Sequence, residues 1–438
     1  HSGTPLGTID VRYAYAFQYF ELPLTADQAK AALAEGIALH PQGSSPLWFF
    51  DDRNFSPDRE TASFTPHLLF AENAPEPARS NAHAAAHDAA HAAAHAGALA
   101  DARAAAALDA LLSLRSLQPF GWIEGCVLDG ILHIAERASG ELKDRANAAL
   151  KLHFAQFMTE DGRLVYEDLR GNAADGTFTT IEATLPVAVA ARLDPNHPLI
   201  SQAIRFFEAK TGPDGLIIDG EMVSAEGCYT VAYPLAVLAA AAGSSDLANR
   251  ALKQVLLRKR RLRGERSVHL RWYLDKQEHT FTNWSRAFGW YCLGMTKTYL
   301  TLAAASSLRP DPEAMAALRE EIADVLQLAL SYLPASRVWS VFFDRPDTGA
   351  ETSGTAAVAA ALALAAENGI ADPICRKEAE SIYAALLDYI TPDGLFGGVS
   401  QHNAGGMKLQ ESGYRVLSQM GLGLWGQLHT ALAFPPSR

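Results

Sequence analysis

The amino-acid sequence predicts an all-α protein: a toroid of helical hairpins with short β segments in its loops, preceded by an irregular N-terminal region. Three observations carry this. After residue 120 apolar residues recur at helical spacing in about eleven segments, the runs of β propensity between them are short, and one supersecondary unit is used three times. With 438 residues, 49% of them hydrophobic, the chain can bury a large core, as one repetitive α-domain or as two smaller domains.

Composition excludes several classes of partner. A net charge of −12 and a pI near 5.6 argue against a general nucleic-acid or anionic-membrane surface partner. Cys126, Cys228, Cys292 and Cys375 lie far apart with no C-x-x-C pair, which fits buried thiols in a reducing, cytoplasmic setting better than a zinc ribbon or a disulfide framework. The longest apolar runs, such as Val231–Gly243 interrupted by Pro234, are too short to span a bilayer. The chain opens on His1 with no basic-then-apolar leader, as expected either where a leader or native start has been removed or where His1–Thr4 is an added remnant.

Taken in order, residues 1–78 read as an N-terminal arm with one amphipathic helix, Thr25–Leu39, for which Thr25 and Asp27 supply start signals. Leu47-Trp48-Phe49-Phe50 runs into Asp51-Asp52-Arg53-Asn54, a loop that either packs with the arm or overhangs a site. The remaining residues, 79–438, are expected to form the main domain. Its first helix, Asn81–Leu117, is alanine-rich and carries His83, His87, His91 and His95 at i, i+4 spacing along one stripe. Two histidines one turn apart can bind a metal, but no H-E-x-x-H occurs and Asp88 is the one carboxylate nearby, so a solvated face is the reading preferred.

From Trp122 onward helices are expected over Val127–Ala138, Lys143–Met158, Thr180–Ala191, Leu199–Ala209, Tyr229–Ala241, Asp246–Leu257, Trp284–Ala305, Pro312–Leu333, Thr355–Asn368, Cys375–Ile390 and Gly413–Leu432. Three of them end alike. His153–Met158 runs into Thr159-Glu160-Asp161-Gly162-Arg163-Leu164, Phe206–Lys210 into Thr211-Gly212-Pro213-Asp214-Gly215-Leu216, and Leu387–Ile390 into Thr391-Pro392-Asp393-Gly394-Leu395. Each is an aromatic helix end, an Asp-Gly turn and a short apolar strand. Hairpins of this size stacked in a circle bring helix N-termini and glycine-rich loops to one end, where the site is expected.

The stretch with most chemical content is Asn283-Trp284-Ser285-Arg286-Ala287-Phe288-Gly289-Trp290-Tyr291. A guanidinium between two indoles, with Gly289 allowing close approach, suits a pocket that stacks a sugar ring and pairs its carboxylate. The alternative is a set of core aromatics with Arg286 capping a carbonyl. Glu182 and Glu226 both fall at helix N-termini; paired carboxylates are the equipment of glycoside chemistry, although each alone also suits the helix dipole. Asp129 is a third acidic candidate. His269, just upstream of Arg286, could donate to a carboxylate or hydroxyl, and the run Arg258–Arg263 reads as a solvated loop that could also attract an anionic oligosaccharide.

Trp284–Tyr291 resembles the Trp–small–Arg–small–x–Gly–Trp–aromatic signature of the unsaturated uronyl hydrolases, glycoside hydrolase families 88 and 105. Further parts follow in order: Trp122-Ile123-Glu124-Gly125 with Ser139-Gly140-Glu141, then Glu351-Thr352-Ser353-Gly354-Thr355-Ala356, Gly397-Gly398 and Ser412-Gly413-Tyr414-Arg415. The likeness covers roughly residues 120 to 434. It implies an (α/α)6 barrel that removes a terminal uronic acid from lyase-made oligosaccharides by protonating C4 of a C4=C5 double bond and adding water at C5, with no metal or organic cofactor. The family's two catalytic aspartates fall on Glu182 and Glu226, one methylene longer, which keeps a relative cleaving saturated glucuronic acid in play.

The resulting expectation is an exo-acting glycosidase. Glu226 is the general acid/base and Glu182 its partner; Arg286 and His269 hold the carboxylate and hydroxyls; Trp284, Trp290 and Trp122 stack the rings; Asp129, Tyr229, Tyr414 and Arg415 complete the lining. The partner is a uronic-acid-containing oligosaccharide, not nucleic acid or membrane, and a homodimer is allowed. A cofactor-free epimerase using His269 and His279, and a non-catalytic carbohydrate-binding protein, are the competing classes.

Overall fold

A computed structural model describes residues 24–35, 99–159, 162–168, 173–174 and 176–434. The chain divides into two compact units, His1–Leu99 and Ala100–Arg438. In the first, helix α1 (Ala26–Glu35) starts at a reciprocal cap: Gln28 N donates to Thr25 Oγ1 at 3.3 Å and Thr25 N to Gln28 Oε1 at 2.9 Å. The histidine stripe, the Leu47–Phe50 segment and the expected 78/79 boundary lie outside the described residues.

The second unit is a succession of hairpins: α2 (100–111) and α3 (Trp122–Arg137), α4 (Gly140–Ala155) and α5 (Leu185–Leu193), α6 (Pro198–Ala209) and α7 (Tyr233–Ala242), α8 (Ser245–Leu262) and α9 (Ser285–Ala304), α10 (Pro312–Ser331) and α11 (Thr352–Glu367), and α12 (Ile374–Leu386) and α14 (Gln419–Ala433), with short α13 (Gly406–Glu411) inserted before the last. The second helix of each pair packs on the second helix of the next, and α14 closes on α3. That is an (α/α)6 barrel. Sequence separates the layers: inner α11 is buried throughout Ala356–Ala365, whereas outer α6 buries Leu199, Ala203 and Phe207 at i, i+4 spacing and turns its other faces outward. Inner helices must approach closely, so small residues line their contacts. A Cβ on Gly130 would strike Gly423 backbone, and one on Gly423 would strike Cys126 backbone.

Connections differ by end. Inner-to-outer links are short, such as 138–139 and 243–244, whereas outer-to-inner links run long, such as 156–184, 210–232 and 387–418. Every inner helix therefore begins at the end where long loops gather. The three Asp-Gly units all lie there and share one geometry: Thr159 N donates to Arg163 O (2.9 Å), Gly212 N to Leu216 O (2.8 Å) and Thr391 N to Leu395 O (2.9 Å), with Gly162, Gly215 and Gly394 at positive φ.

Short strands build the rest of this end. β1 (Met222–Ser224), β2 (Arg263–Gly264), β3 (Ser267–Tyr273) and β4 (Glu278–Thr282) form an antiparallel sheet around β3, with Ser224 opposite Arg271 and His269 opposite Thr282. β5 (Ser340–Phe342) pairs with β6 (Arg345–Ala350), and β7 (Val399–Ser400) with β8 (Arg415–Val416). The basic run is not a loop: Arg258–Leu262 is the last turn of α8, where cations suit the helix dipole, and Arg258 is fully buried. All four cysteines are buried and free. Among the described residues no helix is long and apolar enough to cross a membrane, and no cluster of three His, Cys, Asp or Glu is placed to hold a metal.

Candidate active site

Two inner-helix entrances supply the acids. Glu182 sits in a single 3-10 turn, Ile181–Thr184, that feeds α5, and the turn is fastened by Ile181 N donating to Asp219 Oδ2 at 2.8 Å. Glu226 lies between β1 and a five-residue π-helix, Cys228–Ala232, that runs into α7; the preceding Ala225 N donates to Leu270 O of β3 at 2.8 Å. Beneath this turn Arg258 donates to Ser224 O (3.1 Å) and Ile217 O (2.7 Å), and Gly227 leaves its guanidinium room that a Cβ would take.

The two carboxyl groups are within hydrogen-bonding reach of each other. Burial first, then the negative charge of Glu226, push the Glu182 carboxyl well above the ordinary carboxylate range, against the opposing pull of Arg271. Arg271, on β3, is itself lowered by burial and more than compensated by Glu226 and Glu182. Asn403 bridges the group, its Nδ2 donating to Glu226 Oε1 (3.4 Å) and its Oδ1 accepting from Arg271 Nη2 (3.3 Å). Three buried polar atoms here have no protein partner: Glu226 Oε2, Arg271 Nε and Gln401 Nε2. Buried polar atoms are nearly always paired, so such a group points to a polar ligand.

An aromatic wall stands beside them. Half-buried Trp122, at the start of α3, meets Trp290 edge-on at 5.6 Å and His402 at 5.4 Å, and Trp290 stacks on Tyr229 at 6.0 Å. Burial and then the Arg286 charge lower His402 to about 4, leaving a neutral imidazole at pH 7.

Residues 227–435 match the family model for Glycosyl Hydrolase Family 88. The match spans just under half of the chain and marks that part as similar to this family of glycoside hydrolases. The fold has the same relatives. The hydrolase is similar to a family 105 glycoside hydrolase from C. acetobutylicum ATCC 824 (17% identity, 76% of this chain and 99% of that one, TM-score 0.64). It is similar to a possible family 105 member from Salmonella enterica serovar Paratyphi A (14%, 83% and 98%, TM-score 0.62). An unsaturated glucuronyl hydrolase specific for heparin superposes over 76% of this chain and 96% of its own (14%, TM-score 0.54). No curated protein matches the chain.

Several residues of the hydrolase sit elsewhere than the sequence suggested. Arg286 is buried, its guanidinium on Glu351 Oε1 (3.4 Å), Ser353 Oγ (3.3 Å), Ser400 O (2.6 Å), Ser400 Oγ (2.8 Å) and the Gln401 carbonyl. It holds the 400–401 backbone through Nη1 and Nη2, while its Nε has no protein partner. Trp284 lies beneath that guanidinium (4.3 Å), donates to Gln410 Oε1 (3.1 Å) and is 1% exposed, so it stacks a cation inside the protein and no sugar ring. Arg415 donates to the carbonyls of Ala350 (2.7 Å), Thr348 (2.5 Å) and Tyr414 (3.0 Å), tying β8 to β6, with Tyr414 half-buried beside it.

Asp129 faces the barrel lumen instead of the mouth. It accepts from Lys297 Nζ (2.5 Å), Tyr233 OH (3.1 Å) and, through a short contact, Tyr229 OH, while Gln427 bridges Lys297 (3.1 Å) and Tyr229 (2.9 Å). Tyr229 is thereby buried as a support for Trp290. His269 stacks on His279 at 3.9 Å and binds Thr282 (2.9 Å) and Ser267 (3.2 Å); burial and then His279 lower it to about 4. None of these contacts reaches the two carboxylates. Thus the structure brings together Glu182, Glu226, Trp122 and Trp290, and adds Arg271, Gln401, His402 and Asn403. The signal for Arg271 was present in the strand run that contains His269, two residues away.

Proposed function

We propose that this hydrolase removes a terminal unsaturated uronic acid from oligosaccharides produced by polysaccharide lyases, acting from the chain end. The observation that carries the reading is the contact between the Glu182 and Glu226 carboxyl groups. Glycosidases working by displacement separate their two carboxyls by about 5–5.5 Å when retaining and about 6.5–9.5 Å when inverting. Groups close enough to share a proton leave no room for either a glycosyl carbon or a water between them. A single acid/base unit that first gives and then takes a proton fits such a pair, and hydration of a C4=C5 double bond requires that unit.

In this reading the proton shared between the two groups rests on Glu182, whose carboxyl is held well above the ordinary range. Glu226, whose Oε2 has no protein partner, meets the sugar. Glu182 passes its proton to Glu226, which delivers it to C4; water, losing a proton to the Glu226 carboxylate so formed, bonds through oxygen to C5. The C5 hemiketal opens to a ketone, C1 is left as a hemiacetal, and the aglycone departs with its hydroxyl restored. A uronate brings a negative charge next to two acids, so a cation must accompany it, and Arg271, coupled to both, takes its carboxylate. Asn403 and Gln401 hold hydroxyls, and Trp122, backed by Trp290, stacks the ring. Support also comes from the fold relative described as an unsaturated glucuronyl hydrolase.

A paired assay tests this, following double-bond ultraviolet absorbance with lyase-made unsaturated disaccharides and reducing-sugar release from their saturated glucuronides. Loss of absorbance is expected. Release from the saturated substrate only would make it a glucuronidase on the same barrel, and inactivity on both would return the epimerase and binding classes.

A further inference from the structure

We propose that the π-helical segment Cys228–Ala232 fixes the spacing of Glu182 and Glu226, with Thr184 and Tyr229 as its positioning residues; this rests on the reading that the two carboxyls share a proton. A π turn widens the helix by a residue per turn and disturbs the backbone bonding pattern, and such turns gather at functional sites. This one starts two residues after Glu226 and is buried throughout. Its neighbours add bonds to hold it in place.

The first anchor joins the two acids' supports directly. Thr184 closes the 3-10 turn that carries Glu182, and its buried hydroxyl lies 2.6 Å from the Thr230 carbonyl inside the π segment, closer than to Ile181 O at 2.8 Å. Thr230 in turn donates from Oγ1 to the Glu226 carbonyl at 3.1 Å. One chain of hydrogen bonds therefore runs from the turn bearing Glu182 to the backbone of Glu226. The second anchor is Tyr229, held by Asp129, itself fixed by Lys297 and Tyr233. Behind both stands Gly294 of α9: a Cβ there would strike the Cys228–Tyr229 backbone, so α9 presses on the segment from the far side. Both anchors are buried away from the sugar position and act through Glu226 and Glu182.

Loosening either anchor lets the carboxyls part. The groups facing Glu182 are Glu226, Arg271 from β3 and Asp219 from the loop before β1; parting it from Glu226 removes a repulsion and moves it toward the ordinary range.

Infrared titration of the ligand-free full chain reads this without substrate, following the carbonyl band of a protonated carboxylic acid that disappears in Glu182→Gln. The wild type should keep this band above the usual carboxylate range. Thr184→Val, isosteric but without the hydroxyl, should lower the midpoint by about one pH unit, Thr184→Ser should restore it, and Tyr229→Phe should lower it by less. Unmoved midpoints in Thr184→Val and Tyr229→Phe, with only the melting temperature falling, would overturn the proposal, as would a wild type with no band assignable to Glu182. Should Thr184→Val not fold, Tyr229→Phe decides. An inactive enzyme in the ultraviolet assay with these band shifts intact would fault the substrate reading and spare this one.

Discussion

Two regions of the barrel bury ionisable groups, and they do so in opposite ways. In the lumen, Asp129 is satisfied by Lys297, Tyr229 and Tyr233, with Gln427 closing the ring. At the mouth, Glu182 and Glu226 repel each other, and Glu226 Oε2, Arg271 Nε and Gln401 Nε2 lack protein partners. A complete polar network rigidifies a core, whereas an incomplete one is costly unless something else completes it. The lumen is architecture. The mouth is left incomplete, as the proposed ligand site requires.

That contrast can be broken by mutation, starting where the effect is largest. Glu226→Gln should reduce turnover by about 10²–10⁴-fold, the worth of a positioned acid/base, while circular dichroism and melting stay near wild type. Full activity in this variant would remove the mechanism. Asp129→Asn should do the reverse and strike stability, by about 3–5 kcal/mol in urea unfolding, because it leaves the Lys297 charge buried without its counterion. An unchanged unfolding curve would mean the lumen pair is not structural.

Smaller effects sharpen the comparison. Arg271→Lys keeps a charge but loses the planar fork, so KM for a uronide should rise about tenfold to a hundredfold, equivalent to about 1.4–2.7 kcal/mol, with kcat changed less. An equal effect on a neutral glycoside would argue against carboxylate recognition.

Glu182 gives the most gradual test. Its folded form holds a proton that the unfolded chain releases near the ordinary value of 4.5. Over the window from there up to its raised folded value the unfolded state binds fewer protons, so this residue makes stability fall with rising pH, by about 1.4 kcal/mol per pH unit. Glu182→Gln should flatten that part of the melting-temperature profile; matching slopes in both proteins would show the carboxyl to be ordinary.

Much of the barrel was legible from sequence because helical periodicity and turn chemistry are local. The Asp-Gly units at Gly162, Gly215 and Gly394 have one geometry because the turn needs a residue at positive φ, wherever it occurs. Apolar content on one face or all round matches the layer each helix takes, as α6 and α11 show, although the sequence reading did not assign the layers. The site was less legible. Glu182 and Glu226 stood out as acids at helix entrances, but whether Arg286 meets a ligand or Ser400 depends on a loop more than a hundred residues away. The same holds for Trp284 and Gln410. Arg271 resembles any strand arginine until β3 is set against β1 and the two acids. Long-range partnership, which no local pattern encodes, decided these roles.

The ring is sealed where Gly130 of α3 meets Gly423 of α14, its first and last inner helices. About 290 residues separate those glycines, and a ribosome adds roughly 5–20 residues each second. For some 15–60 s of synthesis the glycine-lined face of α3 has no partner, and the lumen stays open along one side. The nascent barrel is an unfinished horseshoe until its final helix emerges. Chaperone capture or mispairing with another chain would find its opening during that interval, along the seam rather than at the mouth.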